Sequence, residues 1–137
     1  MTFQTGRPYT ASLAIDSANV GDGARLPNAV ANPNTGPKTP QQWFNTGAFA
    51  VPPPYTFGNE GIGVITGPGV SNIDLSASKN TIITEGVKLQ FRAEFFNALN
   101  HANFAAPNTT LGFAQFGQIT ATAIANRVIQ LGLHLNF

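Results

Sequence analysis

The strongest constraint lies at the end of the chain. In residues 127–137, Ile129, Leu131, Leu133, Leu135 and Phe137 alternate with Gln130, Gly132, His134 and Asn136. Successive side chains of a β-strand point to opposite faces, so this order places five apolar side chains on one face and the polar ones on the other. A helix would scatter the same residues around its axis. The segment therefore predicts a two-faced strand, and its length matches the about 9 to 11 residues that a tilted strand needs to cross a hydrocarbon layer.

A second period-two region precedes it. Apolar side chains occupy the odd positions Ile73, Leu75 and Ala77, and again Val87, Leu89, Phe91, Ala93 and Phe95, while Asp74, Ser76, Lys88, Gln90, Arg92 and Glu94 occupy even ones. Thr84, Glu85 and Gly86 separate the two runs, and a three-residue connection with glycine where a positive φ is needed reads as a bulged hairpin. With Ile83 opposite Val87, the register places Leu75 against Phe95, Ala77 against Ala93 and Thr81 against Leu89 on one face. Ser76 then meets Glu94 and Ser78 meets Arg92 on the other. Lys79 is the exception, falling opposite Phe91 on the oily face, which implies either a local phase slip or an ammonium that snorkels toward an interface.

Elsewhere no window between Gly6 and Gly69 carries the i, i+3, i+4, i+7 spacing of an amphipathic helix, and Pro and Gly recur throughout. The expected fold is all-β: an antiparallel meander of about four strands with two long loops. Of these, residues 1–15 are expected to hold one strand, 16–70 a Pro/Gly-rich outer loop, 71–100 the hairpin, 101–126 a second outer loop and 127–137 the terminal strand. Within the first loop, Trp43, Phe44, Phe49, Tyr55 and Phe57 are expected to pack the segment on itself, with Trp43, Phe44, Tyr55 and Phe57 as alternative ligand contacts.

Charge is scarce. Only 9% of residues are charged, and the net charge is +1, against about 25% charged residues in ordinary soluble domains. No electrostatic attraction to nucleic acid is expected. Such a composition suits a protein wet on one face and in contact with lipid on the other. The connections support that reading, because the turn at Glu85 is short while those flanking the hairpin are long, as in barrels with tight inner turns and extended outer loops. The terminal segment of a transmembrane β-barrel is thus expected. Ile129, Leu131, Leu133, Leu135 and Phe137 would face lipid, and Asp74, Lys88, Gln90, Arg92, Glu94, Gln130 and His134 the lumen. A small self-standing β-rich binding or adhesin module is the alternative, although it would leave a long apolar edge strand uncovered. The first residues lack both the basic and the apolar region of a signal peptide, so export is expected to rest on a longer chain of which this is the C-terminal fragment.

Several stretches resemble the C-terminal barrel region of TonB-dependent-receptor-like outer-membrane proteins of the Oar-like type, whose members often carry a carboxypeptidase-regulatory-like domain. They are Gln42-Trp43-Phe44-Asn45-Thr46-Gly47-Ala48-Phe49, Gly67-Pro68-Gly69 with Asn72-Ile73-Asp74-Leu75-Ser76, Leu89 to Asn97, Asn100-His101-Ala102-Asn103-Phe104, and Phe116-Gly117-Gln118-Ile119-Thr120. Ala77 and Ser78 are smaller than that pattern leads one to expect. The resemblance implies a large barrel with a plug, bacterial outer-membrane lipid as surroundings, and the barrel-assembly machinery as reader of a C-terminal strand ending in Phe137. Plug and most strands lie outside these residues, so transport by this piece alone is not implied.

No catalytic constellation, metal set or cofactor motif emerges. His101 and His134 are far apart, the acidic residues are scattered, and cysteine is absent. An enzyme is not expected.

Overall fold

A computed structural model describes residues 1–21 and 25–137, so residues 22–24 of the first expected loop lie outside it. Among the described residues there is no α-helix. Strands follow in chain order as β1 (Thr2–Gln4), β2 (Pro8–Tyr9), β3 (Ser12–Leu13), β4 (Asn28–Ala29), β5 (Phe49–Ala50), β6 (Ile65–Thr66), β7 (Val70–Asn72), β8 (Leu75–Thr84), β9 (Val87–Phe96), β10 (Thr110–Leu111) and β11 (Val128–Asn136). Two single 3-10 turns, Pro33–Thr35 and Thr46–Ala48, are each capped by an asparagine, Asn32 or Asn45, whose side chain accepts a backbone N–H two residues on. The chain divides into two compact units.

The first unit comprises Met1–Gln4, Val70–Asn103 and Ile124–Phe137. Its centre is a three-stranded antiparallel sheet in the order β11-β9-β8. The expected register holds along most of the hairpin: Leu75 pairs with Phe95, Ser76 with Glu94, Ala77 with Ala93, Ser78 with Arg92 and Thr81 with Leu89. It departs at the turn, where Thr84 rather than Ile83 pairs with Val87 and an irregularity sits between Ile82 and Thr84. The loop is therefore two residues, Glu85 and Gly86, with Gly86 at φ 95°, a conformation that glycine adopts without steric cost. Leaving Ile83 as the extra residue lets the turn be this tight without moving the rest of the apolar row.

On the other side of β9, β11 pairs from Val128 against Phe96 to Asn136 against Lys88. Phe137 lies one residue beyond the last pair. The two long connections consequently leave the sheet at the end bearing Leu75, Phe95 and Ile129, whereas the tight turn and the chain terminus share the opposite end.

At the loop end of the sheet, polar side chains hold the strands together. Asn97 is 3% exposed and sits at φ 48°. Its N–H donates to Asp74 Oδ1 at 2.9 Å, while its Nδ2 donates to the carbonyls of His101 at 3.0 Å and Ala125 at 3.1 Å. Asn100 Oδ1 accepts the N–H of Arg127 at 3.0 Å, and the fully buried Asn103 accepts that of Ser71 at 2.7 Å. Buried polar groups need such partners, and here nearly every one is backbone.

The second unit comprises Thr5–Gly69 and Phe104–Ala123, so the two long connections fold together. Over residues 1–15 the structure has three short strands, separated at residues 5–7, which include Gly6, and at residues 10–11. β1 pairs with β7 in the first unit, β2 with β6, and β3 in parallel with β10. Phe44, Ala48, Phe49, Ile65 and Ala11 form a core, with Tyr9, Trp43 and Phe116 against it. Three rings meet edge to face: Phe44 and Phe116 lie 5.1 Å apart, Phe44 and Phe49 5.9 Å, and Phe49 and Phe116 6.0 Å, a favoured arrangement of ring quadrupoles. Trp43 donates its indole N–H to Thr66 O at 2.9 Å. The expected irregular loops thus have a core of their own.

Candidate functional site

The feature with the clearest chemical character is the β8-β9-β11 sheet, whose two faces differ completely. Reading across the strands, one face carries the rows Leu75-Phe95-Ile129, Ala77-Ala93-Leu131, Lys79-Phe91-Leu133 and Thr81-Leu89-Leu135. Among the described residues no apolar layer covers it: Leu131 is 69% exposed and Leu133 71%. In water so large a contiguous oily surface is unfavourable, and apolar patches of this kind mark contact with lipid or another protein.

The opposite face carries Ser76-Glu94-Gln130, Ser78-Arg92-Gly132 and Asn80-Gln90-His134, then Ile82-Lys88-Asn136 near the turn. Lys88, Gln90, Arg92, Glu94, Gln130 and His134 therefore share one surface. Arg92 Nη2 and Glu94 Oε1 are 2.7 Å apart, but water screens so exposed a pair and its contribution to stability is small. A cavity of about 200 Å³ opens between Ser76, Ser78, Gln90 and Arg92. On β11, Gly132 lies opposite Arg92. At the loop end this face turns apolar, where Phe96 meets Val128.

Asp74, expected with the other polar residues, lies just before β8 and is occupied structurally: its Oδ1 accepts the N–H of Asn97, and Oδ1 and Oδ2 both accept from Asn72 Nδ2, at 3.1 and 3.0 Å. Phe137 is 97% exposed and unpaired. Among the loop aromatics, Phe44 is fully buried and thus closed to any ligand, because it is the centre of the aromatic cluster. Trp43 is largely taken up by its contacts with Thr66 and with the Phe104 ring, 6.2 Å away. Tyr55, 76% exposed, and Phe57, 64%, remain open. Tyr55 has φ 64° and borders a groove of about 400 Å³ together with Ile15, Asp16, Ser17, Val51 and Pro54.

The residues that sequence reasoning missed are Asn97 and Asn100, which hold the strand ends, and Glu60, a buried carboxyl that accepts the N–H of Ala11 at 3.1 Å. Burial raises its pKa above the usual glutamate value of 4.5, against a smaller lowering by that hydrogen bond. Asn97 terminates an alternating strand and is followed by further asparagines at spacings of three, which is a weak local signal. Glu60 has none, since its partner is Ala11. Among the described residues no three His, Asp or Glu side chains converge as a metal site.

A family model described as an outer membrane beta barrel domain matches residues 1–130. No curated protein and no solved structure matches the chain.

Proposed function

Since this chain belongs to the outer membrane beta barrel domain family, we propose that its three-stranded sheet is a stretch of barrel wall in a TonB-dependent-receptor-like protein. Family membership places the protein in the outer membrane. In the proposed arrangement Ile129, Leu131, Leu133 and Leu135, with Leu75, Leu89, Phe91 and Phe95, face lipid, and Phe137 follows them at the membrane boundary. Lys88, Gln90, Arg92, Glu94, Gln130 and His134 face the lumen. The two long connections leave the sheet at its outer end, and the Glu85-Gly86 turn lies at the periplasmic end.

One observation carries this reading: a predominantly oily surface, interrupted by Lys79 and Thr81, spans three paired strands, with a predominantly polar surface behind it. A soluble binding or adhesin module does not suit that pattern, because it would need a second apolar layer over Leu131 and Leu133. The proposed partners are lipid, the remainder of the barrel, and the barrel-assembly machinery, which could pair with the free edge of β11 by strand addition. No catalytic step is assigned to the protein.

Single cysteines test the orientation, as the chain has none of its own. Labels at Leu131 and Leu133 should be quenched by a bilayer-confined quencher and labels at Gln130 and His134 by an aqueous one. Equal aqueous quenching at all four positions would refute the lipid assignment.

A further inference from the structure

We propose that Asn97 and Asn100 set the register of β11, choosing among pairings that the strand's own pattern does not distinguish. A one-residue slip of β11 would carry Ile129, Leu131, Leu133 and Leu135 to the wet face and is excluded by the alternation. A two-residue slip is different. Leu131 would then meet Phe91 or Phe95 instead of Ala93, and Gln130 would meet Arg92 or Phe96 instead of Glu94. The oily face stays oily, and the wet face keeps its character along most of its length.

A tight turn would ordinarily remove this ambiguity, because loop length and turn type dictate hairpin register. β9 and β11 have no such turn, since residues 97–127 lie between Phe96 and Val128. The two asparagines take the turn's place. Asn97 Nδ2 grips the carbonyl of Ala125 and Asn100 Oδ1 the N–H of Arg127, both within three residues of Val128, the first paired residue of the strand. The same Asn97 gives its backbone N–H to Asp74, one residue before the Leu75-Phe95 pair, so a single buried residue aligns all three strands at one end. Its φ of 48° is one that asparagine tolerates better than most residues with a Cβ, and it turns the backbone so that the amide reaches both neighbours.

This goes beyond the assignment of lipid and lumen and is tested independently of it. In the full chain extracted in mild detergent, disulfide yield is compared for engineered pairs, Glu94→Cys with Gln130→Cys for the native row and Arg92→Cys or Phe96→Cys with Gln130→Cys for the slipped ones. With both asparagines present, the native pair should dominate. Asn97→Gly keeps the backbone conformation accessible while removing the side chain, and should lower the ratio of native to slipped product about tenfold, as expected for losing more than one buried hydrogen bond. Asn100→Gly, which keeps the φ of 51° accessible and removes the contact to Arg127, should lower it about threefold. Should Asn97→Gly fail to fold, Asn100→Gly decides. An unchanged ratio in the folded variants, or loss of the native product with no gain at either slipped pair (Arg92→Cys or Phe96→Cys with Gln130→Cys), overturns the proposal.

Discussion

Lys79 pairs with Phe91 in the middle of the hairpin, its Cβ on the same face as Leu133. The register is unbroken there, so the cation is not displaced by a phase slip. It also sits at the fifth position of the ten-residue strand β8, away from either end, where an ammonium would most easily reach an interface. A lysine at bilayer mid-depth costs about 2–4 kcal/mol, falling to about 0–1 near an interface. Lys79→Leu should therefore stabilise the lipid-embedded protein by about 2 kcal/mol, read from denaturant titration in vesicles. A loss of stability would show that the ammonium has a partner worth more than its desolvation.

The converse substitution separates the two faces. Leu133→Arg should destabilise the vesicle-inserted protein by about 2–4 kcal/mol. Gln130→Arg, three residues away in sequence but on the wet face, should change stability by less than about 0.5 kcal/mol. Similar costs at both positions would show that the two faces do not meet different surroundings.

Glu60 should give the second unit a pH dependence. Its side chain is buried, with Oε2 lacking a hydrogen-bond partner among the described residues, and burial raises its pKa above 4.5. Below pH 4.5 the carboxyl is protonated whether the chain is folded or not. As pH rises through the raised folded value, the unfolded chain has already released the proton while the folded one must hold it or bury a charge, so stability falls. Glu60→Gln retains an acceptor for Ala11 and should flatten this slope while raising stability at pH 7. The fluorescence of Trp43, the single tryptophan, reports unfolding of this unit, and an unaltered slope would assign the dependence to another group.

Phe44→Ala should cost the second unit about 3–5 kcal/mol, because it empties the centre of the three-ring cluster and leaves a cavity. Gly36→Ala should be comparably disruptive for a different reason: a Cβ at Gly36 would overlap the backbone of Phe44, which has no rotamer by which to yield. Tyr55→Ala, at an exposed ring, should be close to neutral in the same Trp43 assay. A large loss there would place Tyr55 in the packing rather than at the surface.

What was legible from sequence alone is the two-faced antiparallel sheet. Alternation is a local property, so Leu89 to Phe95 and Ile129 to Leu135 declare their faces from nearest neighbours, and pairing Leu75 with Phe95 follows by counting from a short turn. The turn itself was misread by one residue, because an irregularity at Ile83 leaves no mark in composition.

Tertiary structure decided the rest. That the long connections share a core depends on Phe44 meeting Phe116 and on Ser12 pairing with Thr110, contacts between segments far apart in the chain that no window can reveal. It decided likewise that Phe44 is closed to ligands while Tyr55 is open, and that Asp74 is a structural acceptor. The terminal strand shows the division most plainly. Its sequence determines which side chains are oily and that they share a face, but a two-residue repeat maps onto itself under a two-residue shift, so the partner of each residue is chosen outside the strand, by hydrogen bonds at Asn97 and Asn100.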